Sequence, residues 1–170
     1  GTWTDRGSAI TVTADKYWVT SNAGGTLIGC NGNGVNAAIK WTAAAGNAAA
    51  LDVDSRFTSA GTCIFWDNRA WFGNTAGGTG AEDKTFYSDS TDIETWGANN
   101  FFLTDGPVTA LKPLKTTLAI HNEDGIWVLY PTGSSDTPYA RQHQSGFGAI
   151  SARGITNDLL GHQLFIREDG

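Results

Sequence analysis

Tight turns rich in Asp, Asn and Gly, each flanked by short apolar strands, recur along this chain and constrain its fold more than any other feature. They appear as "DKYWVT" (15–20), "WDNRAWF" (66–72), "HNEDGIWVLY" (121–130) and "FIREDG" (165–170). Asp15, Asp67, Asp124 and Asp169 are 52, 57 and 45 residues apart. Trp18, Trp71 and Trp127 follow three of these turns at nearly the same offset. Asx and Gly residues supply the positive φ that two- and three-residue hairpin loops require, so each such site predicts a hairpin. A chain built this way folds as antiparallel β units with little helix. The composition agrees: 22 Gly and 7 Trp in 170 residues, with 40% hydrophobic residues, suit many short strands joined by tight turns.

Self-similarity at such a period marks a repeat architecture, and short β units at this spacing suggest propeller blades. The closest internal match sets "LAIHNEDG" (118–125) against "LFIREDG" (164–170). Residues 107–144 divide into one four-stranded blade. "PVTALKPL" is its inner strand, "TTLAIH" and "IWVLY" form its central hairpin, and "YARQHQ" is its polar outer strand. In this reading the repeated turn is the tip between the two middle strands of successive blades. The unit before it contributes "TCIFWD", "RAWFGN" and, after a Gly-rich loop over 74–84, "KTFYSD". The first unit contributes "KYWVTS", "GTLIGC" and "NAAIKW". The last starts with "GAISARGI", matching "GPVTALKP", and continues with "HQLFIR". "WTAAAGNAAALDVDS" (41–55) carries no amphipathic stripe and reads as a linker or a single short turn. The expected fold is therefore all-β: one domain over 1–170, a β-propeller or propeller segment of about three and a half to four four-stranded blades. The half blade is completed either by the N-terminal strands "GTWT" and "SAITVTA" or by residues outside this sequence.

The order of "KYWVTSNAGGTLIGCNG", "DNRAWFGNTAGGTGAEDKTFYSDSTDIETW", "VTALKPLKTTLAIHNEDGIWVLY" and "SGFGAISARGI…HQLFIREDG" resembles the β-propeller region of tailed-phage virion proteins. The group in question is that of packaged-DNA stabilisation and tail-connector, nozzle-like proteins. The resemblance spans nearly the whole chain and is one of pattern. It implies a structural virion protein in the tail or neck, packed around or beneath the portal, that forms or seals the DNA exit channel. It implies partners among portal, tail-tube or connector proteins and self-association in a ring. It also implies that the chain continues beyond Gly170, and it implies no catalytic residues.

The residues themselves carry little catalytic chemistry. "STDIETW" (90–96) approaches the Asp-box of sialidase propellers but is one residue short and lacks the Gly. There the Asp caps a turn and the Trp packs between strands, so it is a folding element. Sialidase chemistry needs clustered arginines and a Tyr nucleophile, whereas Arg6, Arg56, Arg69, Arg141, Arg153 and Arg167 are spread along the chain. A carbohydrate-binding or sialidase-like glycoside-hydrolysing propeller is the rival function, with Tyr17, Tyr87, Tyr139 and the Trp residues as candidate sugar platforms. "CNGNGVN" (30–36) lacks the Gly-Lys-Ser/Thr of a phosphate loop and reads as a β-turn. "SDSTD" (88–92) and "DVD" (52–54) lack EF-hand spacing, and His121, His143 and His162 lack metal-ligand spacing. No catalytic, metal or cofactor-binding residue is assigned. Cys30 and Cys63 sit in apolar strand contexts and are expected as buried free thiols. The net charge of −6 argues against specific nucleic-acid binding, and no basic stretch or long apolar run offers a membrane contact.

Overall fold

The computed structural model describes residues 17–44, 46–157 and 162–166. These build antiparallel sheets, each a meander in which consecutive strands are neighbours. The first sheet contains β1 (Val19–Ala23), β2 (Thr26–Cys30), β3 (Ile39–Thr42) and β4 (Ala49–Ala50). The second contains β5 (Ser59–Trp66), β6 (Arg69–Ala76), β7 (Lys84–Tyr87) and β8 (Phe101–Leu103). The third contains β9 (Val108–Leu114), β10 (Thr117–Asn122), β11 (Ile126–Pro131) and β12 (Tyr139–Ser145). A two-stranded sheet, β13 (Ile155–Asn157) with β14 (Gln163–Phe165), follows a single 3₁₀ turn over Ala152–Gly154. That turn is the only helical element among the described residues. The first strands lie side by side, β1 against β5 and β5 against β9.

Strand periodicity explains how the sheets stack. Successive side chains point to opposite faces, so a strand between two other layers must be apolar on both. In β6, Ala70 and Phe72 face the first sheet's core with Ile28, Cys30, Phe57 and Trp96, while Trp71 faces the third sheet. In β10, Leu118 and Ile120 turn toward Trp71, and Ala119 and His121 occupy the opposite face; all four are buried. Ala110, Ala149 and Ile155 form a smaller core under the two-stranded sheet.

The hairpin at 67–68 is a two-residue loop between Trp66 and Arg69, with Asp67 and Asn68 at φ 49° and 60°. That double positive φ is what a type I′ turn demands. The loop 123–125 closes with the Asn122 N–H donating to the Gly125 carbonyl at 3.0 Å. Ile120 and Ile126 share one sheet, and β9 to β12 follow the expected strand order. The expected turns at 15–16 and 168–170 lie outside the described residues.

The common location assigned to the turns is corrected. The loop 123–125 joins the middle strands of its sheet, but 67–68 joins the first and second strands. Trp71 and Trp127 therefore lie on a second and a third strand, not on equivalent ones. Any tight hairpin selects Asx and Gly wherever it stands in a sheet, so the spacing of these turns is not a structural period. Three further expectations change. "GAISARGI" is extended loop and 3₁₀ turn before Ile155, not a full strand. The loop placed at 74–84 is shorter, because β6 runs through Ala76. The stretch 41–55 includes the end of β3, the short strand β4 and the buried Leu51.

Candidate functional site

The densest grouping of polar and aromatic side chains lies where the second and third sheets meet, around the Asp67-Asn68 turn. Trp71 stacks on Tyr87 with ring centroids 4.8 Å apart and meets Tyr139 edge-on at 5.0 Å. Trp66 packs on Tyr139 at 5.4 Å, and the Trp71 indole N–H donates to the Trp66 carbonyl at 3.0 Å. Trp71 reaches this position because β6 follows the turn without slack, and Tyr139 because it opens β12. The Tyr139 hydroxyl donates to Asp67 Oδ2 at 2.7 Å, tying the outer strand of the third sheet to the first hairpin of the second.

Arg69 completes the group. Its guanidinium lies 5.5 Å from the Tyr87 ring centroid and 5.9 Å from that of Tyr139. Its Nη1 donates to the Ser88 carbonyl at 2.7 Å and stands 3.6 Å from Asp89 Oδ1. Burial raises both phenols above the ordinary tyrosine range. For Tyr139 the Asp67 carboxylate, as hydrogen-bond acceptor and as charge, pushes further the same way, and Arg69 offsets this only in part. Both rings are buried where the second and third sheets meet. This cluster is a packing joint between sheets.

The other arginines lie elsewhere. Arg56 bonds the Trp96 carbonyl and pairs with Asp54, Arg141 lies over Trp127 and bonds the Leu103 carbonyl, and Arg153 lies over Tyr17. Among the described arginines, then, none joins Arg69 in a common site; Arg6 and Arg167 lie outside the described residues. Tyr87 and Tyr139 are buried, which corrects their reading as exposed sugar platforms; Tyr17 is exposed. Among the described residues no group of three or more His, Cys, Asp or Glu side chains is arranged to hold a metal ion.

The remaining sequence candidates resolve into structure. Asp92 caps its own turn, accepting from the Glu94 N–H and the Thr95 hydroxyl at 3.0 Å each. Trp96 is buried against Phe57 and Phe72 and donates to the Asp52 carbonyl, so the Asp-box-like stretch folds as such a stretch does. Residues 30–36 form the expected turn, with Gly32 and Gly34 at positive φ. His121 is fully buried, its Nε2 3.0 Å from Gln163 Oε1, and His143 lies against Trp127. Cys30 and Cys63 are free and buried, as expected, yet they are also neighbours. Cys63 Sγ donates to the Val19 carbonyl at 3.3 Å, and Val19 is the cross-strand partner of Cys30. Burial, together with the Cys63 thiol beside it, pushes the Cys30 thiol well up. Sequence reasoning missed the Tyr139–Asp67 bond, and no local signal marks two residues 72 positions apart.

Exposed apolar side chains collect near the two-stranded sheet, with Leu164 at 62% and Ile166 at 59% of full exposure. No helix among the described residues is long and apolar enough to cross a membrane. No protein-family model matches the chain, and no curated protein matches it significantly.

Proposed function

We propose that this protein is a non-enzymatic virion component of a tailed phage, a β-propeller building block of the tail or head-to-tail connector. It acts through protein contacts and helps form or seal the DNA exit channel. The observation that carries the reading is the succession of antiparallel meander sheets in chain order, with β1, β5 and β9 side by side, as the inner strands of successive blades would be. The resemblance of pattern over nearly the whole sequence suggests the biological setting. The aromatic cluster is compatible with it: Arg69 is tied to Ser88 and Asp89, and Tyr87 and Tyr139 are buried between sheets. The partners are portal, tail-tube or connector proteins and further copies of the chain in a ring. The exposed loop at 132–138 and the outer strands are the contact elements.

Purified virions probed with antibody raised against this chain test the role, alongside a glycan array and a sialidase assay. A virion signal at several copies per particle, with neither glycan binding nor turnover, is the expected result. Saturable glycan binding or turnover without a virion signal would replace this reading with a glycan-processing propeller.

A further inference from the structure

The two-stranded sheet is held against the third sheet at one fully buried histidine. His121 pairs across the strands with Ala110 and Ile126, and Phe165 of β14 covers its ring with centroids 5.4 Å apart. The Pro113 carbonyl accepts from both strands of the cover, from Asn157 Nδ2 at 2.8 Å and from Gln163 Nε2 at 3.3 Å. A carbonyl can only accept, so the second of these bonds orients the Gln163 amide and leaves its Oε1 for His121 Nε2, 3.0 Å away. His121 Nε2 therefore carries the hydrogen, and the neutral ring has a bare Nδ1. That Nδ1 is buried and has no hydrogen-bond partner among the described residues.

A second proton finds no acceptor while the cover is docked. It would make Nδ1 a buried donor without a partner and place a positive charge in an apolar joint. Burial disfavours that charge first; the Gln163 bond favours it, and Lys112 of β9 repels it. The cover faces the ring with Gln163 and Phe165, which do not titrate. His162 is exposed and by strand alternation falls on the outer side, and Arg153 lies over Tyr17.

The cover is the part able to yield. β13 and β14 pair only with each other among the described residues, and a two-stranded sheet is marginal by itself. The joint is also not close-packed. A hollow of about 260 Å³ is lined by Gln163 and Phe165 from the cover and by Thr117, Val128 and Tyr130 from the third sheet.

From the orphaned Nδ1, the Gln163 bridge and this hollow, we infer that the two-stranded sheet is an acid-released flap. Neutral His121 latches it to the third sheet, and uptake of a proton by the ring undocks it while the first three sheets stay folded. Docking is complete above the ordinary histidine value of about 6.5 and is lost as pH falls from there through the lower docked value. This assignment is independent of the proposed virion role.

Amide hydrogen exchange on the 170-residue chain from about pH 7.5 to about pH 5, expressed as protection relative to the unstructured rate at each pH, tests it. Protection at 155–157 and 163–165 should fall by on the order of tenfold for each pH unit below the docked value, while β5, β6 and β10 keep theirs. In His121→Phe the flap's protection should not vary with pH. Gln163→Glu sets a carboxylate against Nε2 to hold the imidazolium, so there the loss should move to lower pH; if His121→Phe fails to fold, this variant decides alone. Three results overturn the inference. One is flap protection that is flat with pH in the native chain. Another is a loss that His121→Phe or Gln163→Glu leaves unchanged, which would name a different group. The third is an equal loss in β5 and β6, which would mean that acid unfolds the whole molecule and releases no flap.

Discussion

At the scale of single residues, His121 is the side chain whose surroundings have the clearest consequence in solution. It is fully buried on the face of β10 that meets the two-stranded sheet, with Gln163 at its Nε2 and Phe165 against its ring. Burial lowers its proton affinity, and Lys112 on β9 acts in the same direction. The Gln163 hydrogen bond opposes them and does not prevail. The folded state therefore prefers neutral imidazole, whereas the unfolded chain takes up a proton near the ordinary value of about 6.5. With the unfolded state binding more protons, the stability contributed by neutral His121 is complete above that value. It is lost as pH falls from there through the lower folded value. The denaturant midpoint should decline more steeply between pH 7.5 and 5.5 in the native chain than in His121→Phe. Parallel declines would mean that other groups govern the acid limb. Gly148 shows a different constraint: a Cβ there would collide with the carbonyl oxygens of Asn122 and Gly125, so the chain can cross the 123–125 turn only as glycine.

Among the elements, β6 bears the most load because it serves two cores. Trp71 is fully buried among Tyr87, Leu118, Ile120 and Tyr139, while Phe72 packs on Phe57 and Trp96 on the other face. Gly73 beside them leaves room for a neighbouring strand, since a Cβ would lie 2.7 Å from Val108 Cγ1 on β9. Trp71→Ala should cost about 3–5 kcal/mol, as large aromatic deletions from cores do. Ala49→Thr on the exposed β4 should stay within about 0.5 kcal/mol. Urea titration of both variants checks this, and similar midpoints would mean that β6 is not the central layer. β6 was legible in the sequence, and so was the order of β9 to β12, because both rest on short turns and continuous apolar runs. β4 and β8, two and three residues long, carry too few positions to display any alternation, and pairing with a neighbour alone makes them strands. The turn repeat misled for a related reason. Asx-Gly chemistry reports the local φ of a hairpin and says nothing about which two strands the hairpin joins. The Tyr139–Asp67 joint escaped entirely, because contacts made by sheet stacking leave no trace in local spacing.

For the whole molecule, the balance of charge bears on the proposed place beside a DNA channel. The sequence carries 17 Asp and Glu against 11 Lys and Arg, a net −6. Several of the cations are already engaged. Lys40 pairs with Glu94, Arg56 with Asp54 and Arg69 with Asp89, while Lys84 donates to the Thr79 carbonyl and Arg141 lies over Trp127. Non-specific binding to duplex DNA comes from Lys and Arg that neutralise phosphates and release counterions, and it reaches roughly 10⁻⁴ to 10⁻⁶ M at physiological salt. An acidic surface on which several cations are already engaged supplies little of that term, which suits the proposed role, because each phosphate contact would retard DNA passing through a channel. The chain should therefore bind a random duplex more weakly than about 10⁻⁴ M even at 50 mM salt, with no measurable salt slope in a fluorescence-anisotropy titration. Micromolar affinity that falls steeply with added salt would reveal a basic track along the fold. That result would count against the proposed role.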